Sequence, residues 1–124
     1  MIEKIAAVAL GGSVGAVLRY LVFLMFSRTQ EHAFPWYTLL VNLVGSFLIG
    51  LLWGFFDKFY VSPGLRLFIF IGVLGSFTTF STLAFETFNM GRNGSIAYGL
   101  IYMVATNVLG ISLAAAGYYL SKLF

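Results

Sequence analysis

The stretch GSFTTFST, residues 75–82, follows the apolar run LRLFIFIGVL and precedes LAFETF. Gly75, Thr78, Thr79, Ser81 and Thr82 therefore sit inside what otherwise reads as one long apolar helix. Hydroxyl side chains offer the backbone local alternatives to helical hydrogen bonds. Unwound backbone at membrane depth is tolerated only where protein buries it or where it lines a cavity. Two readings stand at this point. One is a continuous helix whose hydroxyls bond back to its own carbonyls. The other is a helix broken mid-membrane, whose freed carbonyls could coordinate a cation such as sodium.

Membrane depth itself follows from composition. The 124 residues are 60% hydrophobic and 9% charged, with a mean hydropathy of +0.97. Soluble domains carry roughly 25% charged residues, and a soluble chain this short could not bury so much apolar surface. The expected class is an all-α integral membrane protein. A spanning helix needs about 20 mostly apolar residues. Four segments qualify, at about 5–26, 36–57, 65–88 and 95–121, and together they form a single transmembrane domain over residues 1–124. The breaks between them, SRTQEHAFP, DKFYVSPG and NMGRNGS, are too short to be domains. The first apolar run is too long for the core of a cleavable signal. The chain has no cysteine and one histidine, His32, in a polar linker. That leaves no disulfide framework, no thiolate metal site and no catalytic constellation. A net charge of +3, spread along the chain, points to no nucleic-acid partner. Anchoring at the lipid headgroups accounts for it.

Four spans put both termini on one side. Lys4, Lys58, Arg66 and Lys122 belong to that side, against Arg28, Arg92 and the intramembrane Arg19 toward the other. The asymmetry that normally orients a membrane protein is almost missing. It fits either an ordinary fixed topology with a weak signal or copies that insert both ways and pair antiparallel. Antiparallel pairing would supply the inverted repeat that four spans lack internally. Gly11 and Gly15 form GxxxG in the first span, and Ser46, Gly50 and Gly54 recur every four residues in the second. Such stripes permit close helix approach, inside one chain or between two.

Intramembrane polar groups are costly and tend to face protein or water. Thr38, Asn42 and Ser46 recur at four-residue spacing in the second span; Thr106, Asn107 and Ser112 lie within the fourth. The plain reading is interhelical hydrogen bonding. Asn42, Asn107 and the hydroxyl cluster taken together favour a lined pathway. Arg19 and Glu86 are expected to relieve each other as an ion pair. No titratable acid lies deep in the first span, which disfavours a small proton-coupled multidrug-type exporter. The lining offers amide N–H and hydroxyl donors, and the electropositive ring edges of Phe77 and Phe80. Donors and ring edges without basic side chains suit a small anion that must also leave.

GGSVGAVLRY (11–20), TLLVNLVGSFLIG (38–50) and GVLGSFTTFSTLAFET (72–87) resemble the CrcB/Fluc fluoride channels. The resemblance covers the four-span layout and about the first 90 residues well, and the fourth span more weakly. It implies a passive, fluoride-selective channel of the cell membrane that exports toxic F⁻ from the cytoplasm. It implies an antiparallel dual-topology dimer with two pores and a central structural Na⁺. Asn42 would be a pore donor and Phe80 a pore-lining ring, with Thr38, Thr79, Ser81 and Thr82 on the polar track. Gly75 and Thr78 would give backbone carbonyls to Na⁺, Arg19 matches the family's arginine near the end of the first span, and Asn107 or Thr106 would be the polar pore residue of the fourth. The family motif usually reads TTFSTF, and here its last position is Leu83. Phe85 cannot replace that ring, because two further residues turn a helix by about 200°. Leu83 therefore suffices, or the chain pairs with a paralogous subunit, or it conducts poorly alone.

Overall fold

A computed structural model describes residues 1–28 and 34–124 of the chain. His32 and most of its linker lie outside the described residues. Among those described the regular structure is entirely helical, and four helices are long and apolar enough to cross a membrane. They are α1 (Ile2–Ser27), α2 (Trp36–Lys58), a composite third span (Pro63–Arg92) and α6 (Ile96–Ser121). Their ends differ from those of the expected segments by up to four residues. Helices of 26 residues, such as α1 and α6, are about 39 Å long, enough to pass the ~30 Å hydrocarbon layer with some to spare.

The helix ends obey local rules. Pro35 lies just before α2, where a missing N–H costs nothing. Ser62 caps the third span by accepting from the Leu65 N–H, with Pro63 at the first helical position. Gly94, at φ +86°, makes the left-handed turn that separates the third span from α6. At the end that carries the C-terminus, two cations cover the exposed carbonyls of helix ends. Lys58 donates to the Ser121 carbonyl of α6 (2.7 Å), and Arg66 donates to the Phe56 carbonyl of α2 (2.6 Å).

The third span changes character along its length. It comprises α3 (Pro63–Arg66), a π-helical segment (Leu67–Leu74), α4 (Gly75–Phe77) and α5 (Phe80–Arg92). Between α4 and α5, Thr78 (φ −83°, ψ 160°) and Thr79 (φ −152°, ψ 111°) have extended backbone, while the span as a whole bends by 16°. The step also divides its neighbours: α1 packs on the π segment and α4, whereas α5 packs on α6.

The small residues work inside the chain. A Cβ on Gly11 would strike the Phe68 carbonyl and come within 3.0 Å of the Gly72 Cα, and one on Gly15 would strike the Val73 carbonyl. The GxxxG stripe of α1 thus brings two backbones together against the π segment. The stripe on α2 faces α6 in the same manner: a Cβ on Gly50 would strike the Ala114 carbonyl.

Candidate functional site

Asn42 and Thr79 form the centre of the site. The Asn42 amide Nδ2 donates to the Thr79 carbonyl (3.1 Å), and the Thr79 N–H donates to Asn42 Oδ1 (2.8 Å). One carboxamide thereby serves both backbone groups of an extended residue, as a neighbouring strand would. Thr79 is buried, so these groups would otherwise carry a desolvation cost of about 1–3 kcal/mol each. Gly45, one turn along α2, makes the approach feasible, because a Cβ there would collide with the Thr78 methyl group. Thr79 also caps α5: its Oγ1 accepts from the Thr82 N–H (3.3 Å) and donates to Thr82 Oγ1 (2.9 Å). Ser81 Oγ lies 3.4 Å from the same oxygen. Thr78 Oγ1 donates back to the Leu74 carbonyl (2.9 Å).

Asn42, Gly45, Thr78 and Thr79 open onto one cleft of about 400 Å³ between α2, the third span and α6, whereas Ser81, Thr82 and Thr38 are not among its lining residues. Asn42, Ser46, Thr78 and Thr79 line it from one side, Phe80 and Leu83 from α5, and Thr106 and Asn107 from α6. No ionisable side chain is among its lining residues. Phe80 is 76% exposed there, while Leu83 is buried at 4%. Gly75, Ser81 and Asn107 are exposed as well. The N-terminal turn of α5, whose first N–H groups have no intrahelical acceptor, begins at Phe80 on the cleft.

The polar groups of α6 bond locally, and Thr38 and Glu86 lie outside the cleft. Thr106 donates to the Tyr102 carbonyl (2.7 Å), Asn107 to Met103 (2.8 Å) and Ser112 to Val108 (2.7 Å). These α6 groups bond within their own helix rather than across to a neighbour. Thr38 is fully buried and donates to Glu86 Oε1 (2.7 Å). The Tyr102 hydroxyl donates to the other oxygen, Oε2 (2.6 Å). The expected Arg19–Glu86 ion pair is not formed within the chain; among the described residues the ion pair present is Lys122–Asp57, at 3.8 Å. The cause is topological. Glu86 lies on α5, beyond the extended step, and among the described residues α5 makes no packing contact with α1. Its charge is met by two hydroxyl donors instead.

Sequence reasoning missed Tyr102, since a tyrosine in an apolar span reads as core or interface filler. Its distance of four residues from Thr106, on one face of α6, and the need of an intramembrane carboxylate for donors would have pointed to it.

Four spans around an uncharged cleft of amide, hydroxyl and aromatic groups define a multi-pass membrane protein with a conduit-like site. Residues 6–118 match the family model described as "CrcB-like protein, Camphor Resistance (CrcB)". The chain belongs to that family. A protein of Desulfotalea psychrophila named "Fluoride-specific ion channel FluC" is 43% identical over 120 residues, covering 97% of this chain and 93% of the relative. Proteins with the same name from Aquifex aeolicus (45% over 120 residues, 94% of each chain) and Thermus thermophilus (42% over 118 residues, 95% of this chain and 94% of the relative) are similar in the same way.

Proposed function

We propose that this chain is a fluoride-specific ion channel of the cell membrane, which lets toxic F⁻ leave the cytoplasm passively. The observation that carries the reading is the cleft: amide, hydroxyl and ring-edge groups converge there with no ionisable side chain. Asn42 has a second N–H beyond the one spent on Thr79. Phe80 offers its ring edge, and the N-terminal end of α5 offers partial positive charge. Together they compensate a small anion without holding it as a full cation would. Thr79 continues the lining, with Asn107 and Thr106 across the cleft on α6, and Ser81 and Thr82 extend the polar track beyond it through the Thr79 hydroxyl. The names of the relatives supply the identity of the anion. A proton-coupled exporter would need a titratable acid in the cleft. Glu86 is not among the lining residues, and both its oxygens already accept hydrogen bonds.

The conducting unit in this reading is an antiparallel, dual-topology dimer. Asn107 on the cleft and Ser81 beyond it are both exposed and would be costly against lipid. A second copy inserted the other way up would roof them. The extended step at Thr78–Thr79 is the mid-membrane break of the third helix. It also fits a structural Na⁺. In an unbroken α-helix the Gly75 carbonyl accepts from the Thr79 N–H and the Thr78 carbonyl from the Thr82 N–H. Here those two donors go to Asn42 Oδ1 and Thr79 Oγ1. Gly75 and Thr78 therefore have carbonyls free of their helical partners, the donor type a hard cation requires. Bound there, Na⁺ would tie two such breaks together by neutralising carbonyl dipoles.

A second reading has one specific observation behind it. Leu83, buried beside Phe80, supplies no second ring, so pairing with a paralogous subunit that carries one is a competing arrangement. Electrode-monitored efflux from liposomes containing this chain alone tests both. Fast F⁻ efflux with negligible Cl⁻ efflux is expected. Equal rates for the two anions would overturn the selectivity, and no efflux would favour the paralogous partner or a non-conducting subunit.

A further inference from the structure

We infer that Asn42 and the Thr79 hydroxyl are positioning residues for the cation at the step, because each captures a backbone N–H that would otherwise occupy a cation-binding carbonyl. The inference rests on the Na⁺ reading above and deepens it. Of the four carbonyls that the step separates from α5, those of residues 75–78, the structure shows two losing their helical donor to a side chain. The Thr79 N–H goes to Asn42 Oδ1 at 2.8 Å, which releases Gly75. The Thr82 N–H goes to Thr79 Oγ1 at 3.3 Å, which releases Thr78. Asn42 also fixes the Thr79 carbonyl through Nδ2 at 3.1 Å, so Thr79 is held extended from both of its backbone groups. Thr79 is 7% exposed, which shields those groups from competing solvent. Gly45 completes the arrangement by leaving room for the Thr78 methyl group beside α2.

One side chain then acts on two ions. The same carboxamide, on a residue that lines the anion cleft, keeps the Gly75 carbonyl available to the cation. Substitution at Asn42 should weaken cation binding as well as conduction, although Asn42 donates nothing to the cation itself. An Asp side chain at this position keeps an oxygen that can accept from the Thr79 N–H, so it preserves the capture that releases Gly75 while removing the amide.

The test is thermal unfolding of the purified full-length protein in detergent, titrated with NaCl against N-methylglucamine chloride at constant ionic strength. The wild-type protein should melt higher in Na⁺ along a saturable curve. Asn42→Ala should raise the half-saturating Na⁺ concentration about tenfold or more, as loss of a buried hydrogen-bonding partner implies. Asn42→Asp should restore it to near the wild-type value. Thr79→Val should raise it similarly, and Thr79→Ser should restore it. The Thr79 pair keeps the inference testable if Asn42→Ala does not fold. Wild-type Na⁺ response in Asn42→Ala or in Thr79→Val would overturn the inference while leaving the Na⁺ reading intact. Failure of both Asn42→Asp and Thr79→Ser to restore the response would also overturn it. No Na⁺ response in the wild type would overturn the Na⁺ reading itself.

Discussion

Removing one oxygen atom from Tyr102 tests how the intramembrane Glu86 is stabilised. Tyr102→Phe keeps the ring, which is fully buried and packs edge-on against Phe34 with centroids 5.4 Å apart. The packing contribution therefore stays nearly constant. The substitution removes only the 2.6 Å hydrogen bond to Glu86 Oε2. A hydrogen bond to a charged group contributes about 1.5–3 kcal/mol, so the loss should fall in that range. Thr38 still donates to Oε1, which argues for partial rather than complete loss of support. The assay is equilibrium unfolding in mixed micelles for the wild type, Tyr102→Phe, Glu86→Ala and the double variant. Independent sites add within about 0.3–0.5 kcal/mol, so a coupling of at least about 1 kcal/mol between the two residues is expected and resolvable. Additivity of Tyr102→Phe and Glu86→Ala would refute the claim that the hydroxyl carries the carboxylate. The same cycle run with Arg19→Ala in place of Tyr102→Phe should be additive, because Arg19 and Glu86 are not paired within the chain.

Further expectations concern packing and conduction. Gly11→Ala would press a methyl group into backbone atoms of the π segment and should cost about 1–3 kcal/mol in unfolding experiments. Gly64→Ala, with nothing within 4 Å of the added atom, should stay within about 0.5 kcal/mol of the wild type. Phe80→Ala should lower F⁻ efflux from liposomes by about tenfold or more, one ring-edge contact in the transfer path being of the order of 1.4 kcal/mol. Leu83→Phe places a larger side chain at a buried site and should lower stability by about 1–3 kcal/mol in the same unfolding assay.

The four spans were legible because hydropathy over about 20 residues needs no knowledge of the neighbours. The stripe of Gly11 and Gly15 was legible as a close-packing surface, but not its target, since both in-chain and between-chain partners satisfy the same pattern. GSFTTFST announced a local conflict between hydroxyl groups and helix. Its resolution depended on Asn42, which is 37 residues away and whose side chain reads from sequence only as a donor to the anion. The Arg19–Glu86 expectation treated the third span as one rod beside α1. The extended step divides that rod, and its second half belongs to α6. Nothing in LFIFIGVL signals a π segment. Its tertiary setting is equally silent in the sequence: Gly72 packs so closely on α1 that a Cβ there would approach the Gly11 Cα to 2.7 Å.

The cap that Lys58 places on α6 has a consequence during synthesis. Its acceptor, the Ser121 carbonyl, lies 63 residues further along the chain. At about 5–20 residues per second, the ribosome needs about 3–13 s to deliver it. Arg66 has no such delay, because the Phe56 carbonyl is ten residues behind it. Throughout that interval Lys58 lacks this helix-end carbonyl. In the finished fold Lys58 stays exposed, and its contact latches the last residue of α6 to the end of α2, so the two helix ends are joined only once the whole chain has been made.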